Sequence, residues 1–267
     1  MKLYIIADME GVAGVVSSSQ TTSTNTDYET ARIQYTREVA TVCMAALQNG
    51  VEEIYVNDFH GNGLGVLADK LPEQVMLIRG DYRQASGYEL LDNTFSGLII
   101  IGMHARTGTH NGVLPHTYTP KIKFNLFGQP LGEFDILSLI AGEQKVPTIL
   151  VSGDSVAIEQ AQTNLPSTPM VITKYSTGVG SALCIHPDKV CKMLANETKR
   201  AVKSIAQIEP PEISPPALLE IKLNDVMSVD KIKWIPGLKQ TDELTFEYAA
   251  ESMKQIADLI YGVSILV

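Results

Sequence analysis

The stretch KLYIIADMEG, residues 2–11, decides how this chain is read. KLYIIA (2–7) is a short, continuous apolar run closed by an acidic turn, the pattern of a buried strand. It runs out into Asp8-Met9-Glu10-Gly11. Side chains two apart on an extended backbone point the same way, so Asp8 and Glu10 face one site.

Working outward, the same grammar recurs. Residues 28–49 carry Ala31, Tyr35, Val39, Val42, Cys43 and Ala46 at helical spacing and end in Asn49-Gly50, a helix stop. Further strands are predicted at EEIYVN (52–57), EQVMLI (73–78), GLIIIG (97–102), PTILVSG (147–153) and PMVIT (169–173). Helices are predicted over 134–144, 155–164 and 187–206, the last with Pro187 at its first position. Strands separated by helices make an α/β fold with a mainly parallel sheet flanked by helices.

Two pieces break that rhythm. PKIKFNLFGQPLG, at 120–132, alternates residue types around Gly128-Gln129 and reads as a hairpin inserted beside the sheet. EPPEISPPA (209–217) holds four prolines, which no helix continues through. A boundary there divides a main domain, 1–207, from a small C-terminal α+β domain, 208–267. GVGSA (178–182) reads as a turn before the last helix of the main domain, and not as a phosphate loop.

The composition narrows the function classes. The 267 residues carry a formal net charge of −9 with no basic block, which disfavours nucleic acid and anionic membranes as partners. No apolar stretch approaches the roughly 18 residues of a membrane span, and Asp8 and Glu10 interrupt the N-terminal apolar run too early for a signal peptide. Cys43, Cys184 and Cys191 lie in apolar contexts and read as buried free thiols of a cytoplasmic protein.

The chemistry collects at strand ends. The second strand leads into Asn57-Asp58-Phe59-His60, and the strand at 97–102 into Met103-His104-Ala105-Arg106. Ligands of open α/β sheets bind outside the carboxyl ends of the strands. Glu133 follows Gly132 and opens an apolar helix, where a carboxylate is favoured by the dipole and also reaches a cation. Taken singly, each of these is an ordinary turn, cap or loop residue. Together, Asp8, Glu10, His60, His104 and Glu133 form a mixed N/O set suited to Zn²⁺, with Mn²⁺ or Co²⁺ as substitutes. Five ligands exceed the need of one catalytic zinc, and two bridged ions fit better. Asp58 reads as a turn residue or as the partner of a ligating histidine. Arg106 reads as an internal ion-pair partner or as a clamp for a substrate carboxylate.

ADMEGVAG (7–14), VNDFHGNG (56–63), IIIGMHARTGTHNGVLPHT (99–117) and LGEFDILSLIAGEQKVPTILVSGD (131–154) together resemble the DppA-type D-aminopeptidases, binuclear zinc peptidases. The resemblance is close over about residues 1–200 and looser beyond. It implies two zinc ions per subunit, Asp8 as the bridging carboxylate, and Glu10, His60, His104 and Glu133 as the remaining ligands. It implies His116 as the catalytic histidine, acting through a proton or as an oxyanion donor. The loop from His104 to His116 is one residue longer here and adds His110, read as a solvated loop residue. The resemblance further implies a small peptide substrate with an N-terminal D-amino acid, and a large ring-like homo-oligomer, a decamer among the sizes open. The rival readings are another binuclear amidase or phosphoesterase, and a metal-binding homologue without catalysis.

Overall fold

The computed structural model describes residues 1–81, 83 and 87–267. In chain order the elements are β1 (Lys2–Ala7), α1 (Ser18–Thr21), α2 (Tyr28–Leu47), β2 (Glu53–Asp58), β3 (Val75–Ile78), β4 (Gly97–Met103), β5 (Ile122–Leu126), β6 (Gln129–Leu131), α3 (Glu133–Glu143), β7 (Thr148–Asp154), α4 (Ser155–Asn164), β8 (Met170–Gly178), β9 (Ser181–Cys184), α5 (Pro187–Ser204), β10 (Ala217–Leu223), α6 (Val226–Ile232), β11 (Lys239–Asp242), β12 (Thr245–Ala250) and α7 (Met253–Leu266).

The main sheet has the order β3-β2-β1-β4-β7-β8-β9. It is parallel except for β9, which returns antiparallel to β8. The chain leaves β1 toward β2 and β3, then comes back to β4 on the other side of β1, so β1 and β4 flank a topological switch point. β1 beyond Lys2 and all of β4 lack charged residues because both their faces are covered. Leu3, Ile5, Ile99 and Ile101 pack into a core shared with α2 and α5. Tyr4, Ile6, Leu98 and Ile100 pack the opposite way, into a core shared with α3, α7 and a second sheet.

That second sheet, β11-β12-β10-β5-β6, joins two pieces that the sequence presents separately. The hairpin β5–β6 turns through Phe127 and Gly128, with φ of 51° and 76°, the two positive values of a tight primed turn. β5 then pairs along β10, Leu219 opposite Leu126 and Leu223 opposite Ile122. The sheet thus takes two strands from within residues 1–207 and three from 208–267. An isolated hairpin is marginal in water, and the shared ladder is what makes it stable.

One local expectation is corrected, and another is made more specific. GVGSA holds a turn before α5, as expected; it joins β8 to β9 in a hairpin, and β9 lies between it and the helix. Cys184, on β9, is exposed, while Cys43 and Cys191 are buried; all three are free. β9 is an edge strand with one open face, which an apolar sequence context does not reveal. Among the described residues no helix is long and apolar enough to cross a membrane.

Candidate metal centre and catalytic cavity

β2, β1 and β4 are adjacent and parallel, with Ala7 in register with both Asp58 and Ile101. Neighbouring strands lie ~4.8 Å apart, so side chains just past the three strand ends converge. Asp8 and Glu10 follow β1, His60 follows β2 and His104 follows β4. Glu133 arrives from above as the first residue of α3, after the hairpin.

Two glycines permit the approach. Gly11 donates its N–H to Gly102 O at 2.7 Å. A Cβ on Gly102, whose φ is +73°, would lie 2.0 Å from Asp8 O, and one on Gly11 would lie 2.1 Å from Met103 O. Gly102→Ala therefore combines a left-handed backbone with a main-chain clash, and is expected to cost at least about 3 kcal/mol. Urea unfolding of the metal-free protein measures it; a change below about 0.5 kcal/mol would show that the crossing relaxes freely.

The five side chains are all but buried. His60 Nδ1 lies 3.1 Å from Asp8 Oδ1 and 3.0 Å from Glu10 Oε2. His104 Nε2 lies 3.4 Å from Asp8 Oδ2 and 3.5 Å from Glu133 Oε1. The other ring nitrogens are tied to main-chain oxygens: His60 Nε2 to Thr21 O at 2.8 Å, His104 Nδ1 to Ala105 O at 3.0 Å. Those bonds take the ring protons, so in each neutral imidazole a lone pair faces two carboxylate oxygens. That arrangement repels itself unless a cation fills the gap. Asp8 Oδ2, Glu10 Oε2 and His104 Nε2 accordingly have no hydrogen-bond partner despite their burial.

The spacing fits a metal ion. Ligand bonds of ~2.0–2.1 Å in a tetrahedron place neighbouring donor atoms about 3.3 Å apart, within the 3.0–3.5 Å found here. Asp8 turns one oxygen to each imidazole and so stands between two cation positions. The electrostatics of the metal-free site express the same demand. Burial and the adjacent Glu10 push Asp8 up to about 7. Burial opposes charge on His60 and His104, yet the carboxylates win, holding His60 well above its usual range and raising His104 to about 10.

His116 sits beside this cluster, its ring stacked on His104 with centroids 3.8 Å apart and planes 8° from parallel. Its Nδ1 is bonded to Leu114 O at 2.9 Å, which leaves Nε2 as the acceptor. Burial and the neighbouring His104 lower its pKa, so the ring is neutral near pH 7. His110 is exposed. A cavity of about 290 Å³ opens over Asp8, His60, Glu133 and His116.

Other expectations resolve differently. Asp58 does not hold the ring of His60; it accepts from Tyr35 Oη at 2.9 Å and Val66 N at 2.7 Å, closing the loop after β2. Arg106 lines a separate cavity with Lys123, not the one over the cluster. Asp154, at the end of β7 and also outside the cluster, caps α4 by accepting from Val156 N and Ala157 N. Missing from the sequence reading is the far wall, built by Tyr261, Ser264 and Ile265 of α7, with Tyr118 and Phe59. Tyr118 packs edge-on against both Phe59 and Tyr261. Nothing local to α7 signals that role, because its distance in sequence from the strand ends hides it.

Buried anions ready for cations, beside a neutral imidazole and under an open cavity, are the equipment of a metal-dependent hydrolase on an α/β scaffold. Comparison with known proteins narrows that class. The model of the peptidase M55 family, D-aminopeptidase, matches residues 1–261. A D-aminopeptidase of Bacillus subtilis (strain 168) is 30% identical over 258 residues, covering 95% of this chain and 93% of the relative. The solved structure of the Zn-dependent D-aminopeptidase DppA from Bacillus subtilis, described as a self-compartmentalizing protease, superposes with a TM-score of 0.95 at 27% identity, covering 100% of this chain and 99% of that one. The chain belongs to the D-aminopeptidase family, as the resemblance of its motifs implies.

Proposed function

We propose that this chain is a zinc aminopeptidase that hydrolyses short peptides bearing an N-terminal D-amino acid. Asp8, Glu10, His60, His104 and Glu133 would hold two ions, with Glu10 and His60 on one side of Asp8 and His104 and Glu133 on the other. The observation that carries the reading is the placement of Asp8 between two ring nitrogens whose protons are committed elsewhere. When bound, such a pair of ions lowers the pKa of water toward neutrality and polarises a carbonyl.

The chain's own residues do the rest. Thr21 O and Ala105 O hold the two imidazoles in the tautomer that offers a lone pair. Tyr118 N donates at 2.6 Å to Glu133 Oε1, the oxygen that faces His104 Nε2, and so fixes the carboxylate at the cluster. His116, neutral and acceptor-ready at Nε2, takes the proton from the attacking water and passes it to the leaving amine. Asp81, on the cavity lining, is a carboxylate suited to a peptide's free ammonium. Phe59, Tyr118, Tyr261 and Ile265 offer an apolar wall to a substrate side chain.

A phosphoester substrate is disfavoured by the one arginine on the described lining. Arg83 is committed to main-chain oxygens of Gly80 and Asp58 and to the Asn57 side chain. We place the protein in the cytoplasm on its free cysteines. We also propose that it assembles as a homo-oligomer, on its likeness to the self-compartmentalizing protease DppA.

Elemental analysis of the purified protein, paired with hydrolysis of matched D- and L-alanyl dipeptides, tests the reading. Two zinc ions per chain and faster turnover of the D substrate are expected. Zinc uptake with no turnover of either peptide would leave only a metal-binding homologue.

A further inference from the structure

Lys174 lies in the middle of β8 and is completely buried. Taking an ammonium out of water costs several kcal/mol unless its protons are well used. Here Nζ donates to Glu10 O at 2.5 Å and to Val12 O at 2.7 Å. The preceding residue, Thr173, is also completely buried, and its hydroxyl donates to Gly11 O, with Gly153 O at 3.1 Å as a second acceptor in reach. Three successive main-chain oxygens, those of residues 10, 11 and 12, are therefore taken by two adjacent side chains of one strand. The turn they belong to carries Asp8 and Glu10.

We propose that Lys174 and Thr173 are positioning residues for the metal centre, a clamp on the carbonyls of the Glu10-Gly11-Val12 turn that sets where the Asp8 and Glu10 carboxylates stand. This rests on the reading of Asp8 and Glu10 as ligands.

Within the turn Val15 N donates to Val12 O at 3.2 Å, but no main-chain donor among the described residues reaches Glu10 O or Gly11 O. The turn leaves β1, crosses the end of β4 at Gly102, and faces a dry interior where an unpaired carbonyl is costly. Inter-strand bonding holds the N–H side, with Asp8 N on Ile101 O at 2.8 Å and Gly11 N on Gly102 O at 2.7 Å. The carbonyl side needs donors from outside, and β8 supplies them across the sheet. Lys174 remains charged near neutrality: burial lowers its pKa to about 8, with Asp154 and Glu38 limiting the fall. Its charge itself works against cations bound nearby, so its benefit to a metal centre comes from position.

That opposition separates the two roles. If the charge of Lys174 were what matters to the metal, Lys174→Met would tighten zinc. If its position matters, the same variant loosens zinc. Thr173→Val removes the hydroxyl at constant shape and changes no charge, and Thr173→Ser restores the donor. The experiment is competition of the full-length protein against a chromophoric chelator with zinc alone, alongside thermal unfolding of the metal-free forms. Ile221→Val, in the second sheet, serves as a destabilised control remote from the turn.

Lys174→Met and Thr173→Val are expected to bind zinc about 10- to 100-fold more weakly, the usual range for groups that orient ligands. Thr173→Ser and Ile221→Val are expected to bind as the wild type does. Unchanged or tighter zinc in both clamp variants would overturn the proposal, whatever their unfolding temperatures. If Lys174→Met fails to fold, the Thr173 pair decides alone. A wild type that takes up no zinc would instead sink the ligand assignment, and the clamp with it.

Discussion

His116→Ala is expected to lower kcat by about 10²–10⁴-fold while both zinc ions stay in place. Positioned proton transfer is worth that much, and no other neutral imidazole is placed for it among the described residues. His60 and His104 turn their free nitrogens into the carboxylate cluster, and His110 is exposed. Misfolding is not a plausible cause of the loss. The main chain of His116 is anchored by its own N–H to Ala105 O at 3.0 Å, which the alanine keeps. Metal content is the decisive companion measurement, because donor atoms of His104, His116 and Glu133 all lie within 4.8 Å of one another. Loss of one ion together with activity would make His116 a ligand, and near-wild-type turnover would remove it from the mechanism.

Asp8→Asn is the second large effect, and its sign changes with metal. In the loaded enzyme the variant lacks the carboxylate that faces both cation positions. At least one ion is expected to be lost, with a fall in kcat of about 10³-fold or more. Lewis-acid stabilisation is worth several kcal/mol, at tenfold in rate per 1.36 kcal/mol.

In the metal-free protein the same substitution is expected to stabilise. Burial and Glu10 raise the Asp8 carboxyl from 3.8 to about 7. A raised acid contributes stability that is complete below its unfolded pKa and lost as pH rises through its folded one. At pH 8 the metal-free wild type therefore carries the cost of a charged, buried Asp8, and the amide does not. The difference should shrink between pH 7 and pH 4. Adding zinc should reverse the order, by stabilising the wild type more than the variant. Unfolding midpoints at pH 4 and pH 8, with and without zinc, read all of this. Equal stabilisation of both proteins by zinc would refute the bridging role.

These expectations rest on features of different visibility. β1 and its acidic turn are legible because a six-residue apolar run ended by Asp8 and Glu10 has few other interpretations. His60, His104 and Glu133 are legible by their positions after strands or at a helix start. Placing them in one crevice needs only that the sheet be parallel, since parallel strands end at the same edge. In sequence, His116 is preferred over His110 only through the family resemblance. Stacking on His104 separates them in three dimensions, through a contact that loop composition does not encode.

Other parts were not legible because their partners are remote. β5 meets β10 across 95 residues of chain, as Asn125 and Glu220 do through their side chains, so a hairpin and a C-terminal unit that read as separate pieces share one sheet. Asp58 looks like a histidine's partner by proximity in sequence, but Tyr35 on α2 and Val66 claim it. Lys174 falls just past the strand predicted at 169–173; β8 extends through Gly178 and carries its ammonium to the carbonyls of the acidic turn.

The sequence by itself therefore determined the α/β class, the edge of the sheet where chemistry sits, and the residue types gathered there, because periodicity and strand ends are local properties. Tertiary structure alone decided that Asp8 stands between two imidazoles, that α7 walls the cavity, and that β8 holds the carbonyls of the acidic turn. Those depend on distances between residues far apart in the chain, and such distances are set only when the two sheets and their helices pack.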